Sequence, residues 1–236
     1  MDRGVSMKKF LASFLILAAP LLLTLGTGSG ETQTGTEDLS TEQEFVFQTI
    51  RNRRTVRIFR SDSIPESHLL MILDAARYAP TCGNQQPWKF LVIRERSKLD
   101  SLASASVEWT IDSYREVHDP DTANLAAVKE YLRRTIEDNL SAPIYVAVLV
   151  DTACKYPEHM VHDGCLAVEN LMIMARALGY GTGFYTSYFP DGHMRDFLGY
   201  PKRYRLICLT PIGVPVQWPE TPEKVPLDSL VVFEEF

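Results

Sequence analysis

Apolar side chains recur at helical spacing in PESHLLMILDAARYA, where Leu69, Leu70, Ile72, Leu73 and Ala76 make one stripe, and the helix must stop before Pro80. An earlier helix opens in STEQEFVFQTIRNRR, with Ser40 or Thr41 as the cap and Gln43 or Glu44 three residues on. Lys89–Ile93 reads as a strand. Residues 97–140 read as two mostly polar helices around the turn Asp119, Pro120, Asp121, and their weak period predicts a peripheral cap. The apolar run Ala142–Val150, broken only by Pro143, has the length and β-branching of a buried strand. A helix over His162–Leu178 ends at Gly179. Leu166, Leu171, Met172, Met174, Ala175 and Leu178 make it apolar on more than one face, which predicts burial on two sides. The segment GYGTGFYTSY is extended, a short helix begins near Asp191, and a strand covers Tyr204–Leu209. The tail from Thr210 is too rich in proline for regular structure before its last residues.

The first thirty residues differ in kind. Met7, Lys8 and Lys9 precede a sixteen-residue apolar run, Phe10–Leu25, with Pro20 inside it, followed by a small and polar run, the three-part pattern of an export signal. An uncleaved membrane anchor fits the same run. Either way, the two lysines before the apolar segment place the body outside the cytoplasm, so the expected location is periplasmic or otherwise extracytoplasmic. The chain divides into that signal or anchor at 1–30, a flexible linker at 31–40 and one folded domain at 41–236, since 236 residues are enough for one good core but too few for two.

Removing residues 1–30, which carry Arg3, Lys8 and Lys9 against Asp2, moves the formal charge from −6 to −8. So acidic a body is a poor nucleic-acid binder, because phosphate contacts need a basic face. Four cysteines, 82, 154, 165 and 208, permit disulfides in an exported chain. The spacing Cys154, His159, His162, Cys165 is too cramped for the usual zinc finger, and no metal site is assigned.

In RNRRTVRIF an extended backbone projects Arg53, Thr55 and Arg57 to one side. Two guanidiniums and a hydroxyl there make either a phosphate clamp or a solvated basic patch. In APTCGNQQPW two prolines stiffen a loop whose amides, Asn84 and Gln86, both donate and accept, the complement of a ring edge with alternating C=O and N–H groups. Trp88 packs behind that loop. The glycines of GYGTGFY follow a helix and enter a strand, the reverse of the dinucleotide-binding order; they serve either close approach to a flat ring or helix-on-sheet packing. No nucleophile elbow, His-Glu-x-x-His or phosphate-binding loop is present, and five histidines supply little acid–base chemistry. The protein therefore contributes no assigned catalytic side chain, and a cofactor does the chemistry.

Four segments in order resemble the FMN-dependent nitroreductase family over roughly residues 43–233. RRTVRIF is similar to its Arg-x-Ser-x-Arg/Lys clamp, with Thr55 in the serine position. APTCGNQQPW resembles its Pro-Ser-x-x-Asn-x-Gln-Pro-Trp loop. AVENLMIMARALGYGTGFY resembles the helix that ends beneath the flavin, and LTPIGVPVQ with EKVPLDSLV resembles the C-terminal signature. Thr81 and Cys82 depart from the small serines or glycines common there.

The resemblance implies an α+β fold, a central mixed or antiparallel sheet wrapped by helices, in an intertwined homodimer that binds FMN. It places Arg53, Arg54, Thr55 and Arg57 at the phosphate and ribityl chain, Asn84 at the ring, Phe184, Tyr185 and Thr186 near its reactive nitrogen, and Lys224 as a second phosphate cation. It implies electron flow from NAD(P)H, or another donor, through FMN to a nitroaromatic, quinone or similar small electron-poor acceptor. The alternatives are a membrane-anchored, deiodinase-like dehalogenase of the same fold and an exported flavin-binding dimer without turnover.

Overall fold

The computed structural model describes residues 39–115 and 122–235; the apolar N-terminal segment, the linker up to residue 38 and the turn at 119–121 lie outside them. In chain order the elements are α1 (Thr41–Arg51), α2 (Glu66–Arg77), β1 (Trp88–Ile93), α3 (Arg96–Arg115), α4 (Thr122–Asn139), β2 (Ile144–Asp151), α5 (Met160–Ala177), β3 (Gly181–Thr182), α6 (Asp191–Leu198) and β4 (Tyr204–Gly213). Helix α1 begins with the expected reciprocal cap: Ser40 Oγ accepts the Gln43 N–H at 3.3 Å, and Gln43 Oε1 accepts the Ser40 N–H at 2.8 Å. Helix α2 stops at Arg77, ahead of Pro80.

The fold is α+β. Its strands run in the order β1-β2-β4-β3, and every neighbouring pair is antiparallel. Strand β2 lies inside the sheet with both faces covered, which is why its sequence is apolar without alternation. Tyr145, Ala147 and Leu149 face a core shared with Leu102, Ile136 and Met194 of α3, α4 and α6. Val146, Val148 and Val150 face the opposite core, shared with Ile72 of α2 and Leu171 of α5. The strand and helix around the core thus match the pattern of the chain.

Two expectations are corrected. Helices α3 and α4 are no peripheral cap: Leu99, Leu102, Ile111 and Ile136 are at most 1% exposed and form one whole layer of the core. Their many charged residues occupy only the outer face and dilute the period. Strand β4 continues past Leu209 through Pro211 to Gly213, because Ile144 of β2 and both residues of β3 give it ladder partners there. Helix α5 buries one face within the chain through Ala167, Val168, Leu171 and Ala175, and Leu166 on its second side is 44% exposed in the single chain, where a partner subunit would have to cover it.

Residues 53–59 run beside the sheet, with Thr55 bridged in parallel to Thr182 and Phe59 antiparallel to Pro215. Beyond Pro215 the tail is exposed apart from the half-covered Trp218, with one short turn at Leu227–Ser229. All four cysteines are free thiols. Among the described residues no group of His, Cys, Asp or Glu is arranged to hold a metal, and no helix is long and apolar enough to cross a membrane.

Candidate functional site

The clamp segment alternates. Arg54 and Val56 turn inward, while Arg53 and Thr55 are half-covered and Arg57 is exposed. Two bonds fix this register: Val56 N–H donates to Thr182 O at 2.8 Å, and the Tyr185 hydroxyl donates to Val56 O at 2.6 Å. Gly181 makes the approach possible, since a Cβ there would lie 2.7 Å from Val56 Cγ2. The fold therefore joins residues 53–57 to the segment 181–186, about 130 positions apart in the chain. The same alternation exposes Phe184 and Thr186 and commits the Tyr185 side chain to the clamp backbone. Burial pushes the Tyr185 and Tyr188 phenols up, and the positive charge of Arg57 draws both part of the way back.

Arg54, expected among the cofactor contacts, is instead 9% exposed and points into the protein. It donates to the carbonyls of Arg51 (2.7 Å) and Arg53 (2.8 Å) and to Thr221 Oγ1 in the tail. Arg53 pairs with Glu169 of α5 at 3.5 Å. Arg176, two turns farther along the same face of α5, stacks on Trp218 with 3.8 Å between guanidinium carbon and ring centroid. Burial, and next the charge of Arg54, hold the Arg176 guanidinium below its ordinary value. Three arginines thus gather here, and of them only Arg53 has a carboxylate partner among the described residues, Glu169. That imbalance is the chemistry of an anion site, and a phosphate monoester fits its donors. Lys224 is exposed, three residues beyond Thr221.

The amide loop is held from behind. Asp163, near the start of α5 and 3% exposed, accepts the Cys82 N–H at 3.1 Å on one oxygen and Gln85 Nε2 at 2.7 Å on the other. Gln85 Nε2 also donates to Tyr156 O (3.0 Å), and its Oε1 accepts the Tyr156 N–H (2.7 Å). So Gln85 is a bolt, and its neighbours are left facing out: Asn84 Oδ1 accepts from Gln86 Nε2 at 2.9 Å, and both side chains are exposed. Asn84 (φ 54°) and Gln86 (φ 47°) are non-glycine residues in the left-handed region. Such strain persists where surrounding bonds over-determine it, and it collects at ligand-binding loops. Trp88 packs beneath, 8% exposed, as expected.

Sequence reasoning missed Asp163, Gln85, Glu169, Arg176 and Trp218. An aspartate at the head of an apolar helix was the one local signal. Cavities of about 580 Å³, at Leu70, Met71 and Phe90, and about 500 Å³, at Asn84, Gln86, Lys89 and Arg203, exist, and neither is lined by Arg53, Thr55 or Arg57.

Known proteins share this fold. A family model described as the nitroreductase family matches residues 50–214. An Archaeoglobus fulgidus protein named for NADH dehydrogenase or NAD(P)H nitroreductase activity is 28% identical over 176 residues, covering 73% of this chain and 86% of its own. A Desulfovibrio desulfuricans protein named as a nitroreductase and solved with FMN superposes with a TM-score of 0.62 at 24% identity, covering 81% of this chain and 97% of its own. An iodotyrosine deiodinase solved with FMN and 3-iodo-L-tyrosine gives 0.64 at 22% identity, with 81% and 99% covered.

Proposed function

The chain belongs to the nitroreductase family, and from that premise we propose that it is an FMN-dependent oxidoreductase carrying electrons from NAD(P)H, or another donor, to a small electron-poor acceptor such as a nitroaromatic or quinone. The observation that carries the reading is the pair of bonds joining Val56 to Thr182 and Tyr185, which sets the outward-facing Arg53, Thr55 and Arg57 against the exposed Phe184 and Thr186. Arg53, Thr55, Arg57 and Lys224 hold the phosphate and ribityl chain. Asn84, with Gln86 beside it, meets the polar edge of the ring, and Phe184 and Thr186 flank its reactive side. Bound FMN supplies the hydride and electron chemistry. The chain's own part is to orient the ring and to set positive charge and backbone donors where negative charge gathers.

A homodimer completes the site in this proposal. Phe45 (58% exposed), Val46, Ile50 and Leu166, together with Leu227, Leu230 and Phe233 (82%) of the tail, form apolar surface of the kind that partners cover. The N-terminal segment exports or anchors the domain, so a second exported redox protein is the natural donor if nicotinamide nucleotides are absent there.

The test is a visible spectrum of the purified chain after FMN is offered, followed by anaerobic NADH and then NADPH. Flavin bands that bleach, and recover on adding a nitroaromatic or quinone, are expected. Recovery with an iodinated phenol alone would move the assignment to the dehalogenase. Bound flavin that no donor reduces would leave a flavin carrier, and a chain that binds no flavin would end the proposal.

A further inference from the structure

Beyond β4 and Pro215, the tail meets the body first at Val216, whose N–H donates to Ile58 O at 3.2 Å, and then through two side chains, Trp218, which also packs against the core that holds Tyr145 and Leu209, and Thr221. Trp218 lies against the Arg176 guanidinium, 3.8 Å from carbon to ring centroid, and Thr221 Oγ1 accepts from Arg54 Nη2. Every other residue from 216 to 235 is exposed. The tail is therefore tacked down just ahead of Lys224, which three extended residues place within about 10 Å of Thr221.

The chemistry of the two anchors is informative. Arg54 is nearly buried and spends its bonds on the carbonyls of Arg51 and Arg53 and on the Thr221 hydroxyl, while Arg176 has the indole face. Neither arginine has an ion-pair partner among the described residues; Glu169 pairs with Arg53. A carboxylate at either anchor would order the tail equally well and cancel the charge. A hydroxyl and an aromatic face order a guanidinium and leave its charge intact. Two like charges gathered this way gain most when an anion lies beside them.

We propose that Trp218 and Thr221 form a two-point strap: positioning residues that keep Arg176 and Arg54 ordered but unneutralised and bring Lys224 to the clamp, so that the tail sets affinity for the flavin's phosphate. The proposal rests on the FMN reading above and adds a part of the chain to it.

The test titrates the full-length protein with FMN and, separately, with riboflavin, which has the same ring and no phosphate. Trp218→Ala is expected to weaken FMN about tenfold and Thr221→Val about fivefold, the size of one cation–π contact and one hydrogen bond. Riboflavin affinity stays unchanged in both. Trp218→Phe, which keeps an aromatic face, recovers most of the loss, and Trp218→Ala costs less when Lys224 is already alanine. Equal losses for FMN and riboflavin would reduce the strap to a general structural role and overturn the proposal, as would unchanged FMN affinity in both variants. A wild-type chain that binds neither flavin would instead overturn the FMN reading itself.

Discussion

Asp163 offers the sharpest test of how the amide loop is built. Its carboxylate is 3% exposed and accepts two donors from the loop, Cys82 N–H at 3.1 Å and Gln85 Nε2 at 2.7 Å. Replacing Asp163 with Ala strands the Cys82 N–H, while Gln85 keeps its second acceptor, Tyr156 O, at 3.0 Å. Hydrogen bonds to a charged group contribute about 1.5–3 kcal/mol, and a stranded buried donor costs about 1–3 kcal/mol, so the expected loss is about 3 kcal/mol. For a chain of this length that lowers Tm by about 6–12 °C. Asp163→Asn is the more discriminating variant. It preserves volume, but whichever way the new amide is turned, its NH2 faces a donor. A loss of about 1–2 kcal/mol is therefore expected with no change in packing. Urea unfolding followed by tryptophan fluorescence reads both variants, with Trp88 directly behind the loop, and the midpoint should fall at constant slope. An Asp163→Asn midpoint equal to wild type would refute the double-acceptor geometry and the claim that the loop is held from α5.

Three further perturbations have defined outcomes. Gln86→Gly relieves a left-handed backbone (φ 47°) and should leave the flavin-free protein about 1 kcal/mol more stable while weakening FMN; a less stable variant denies that strain is held there for binding. Gly181→Ala sets a Cβ 2.7 Å from Val56 Cγ2 and 2.9 Å from Pro215 Cγ, and should cost about 1–3 kcal/mol, with a wild-type melt counting against the close approach. The Arg203 guanidinium holds the Asp151 carboxyl below its ordinary 3.8, so the pair stabilises the fold above that pH and loses its contribution as pH falls through the depressed folded value. The Tm gap between wild type and Arg203→Gln should accordingly close on acidification below 3.8, and a gap that stays constant would contradict the sign.

Local pattern alone determined most of the elements. The capping box at Ser40, the stripe of α2, the apolar run of β2 and the stop at Gly179 each depend on residues within a few positions of one another, and periodicity reports such neighbours directly. The candidate site was legible where it too is local: the alternation through Arg53, Thr55 and Arg57, and the outward amides of APTCGNQQPW. What the chain did not disclose are partners chosen across long separations. Asp163 holds a loop about 80 residues away, Tyr185 reaches back 129 residues to Val56, and Arg54 spans 167 to Thr221. The same limit hid α3 and α4 as core, because their charges mask a stripe that only the facing sheet makes buried. Tertiary structure also decided which residue of each pair turns inward: Gln85 between Asn84 and Gln86, Arg54 between Arg53 and Thr55. Sequence supplies the chemistry at those positions, but burial and bonding, which depend on what the fold brings opposite, select the side chains that hold the site and leave the others to face a ligand.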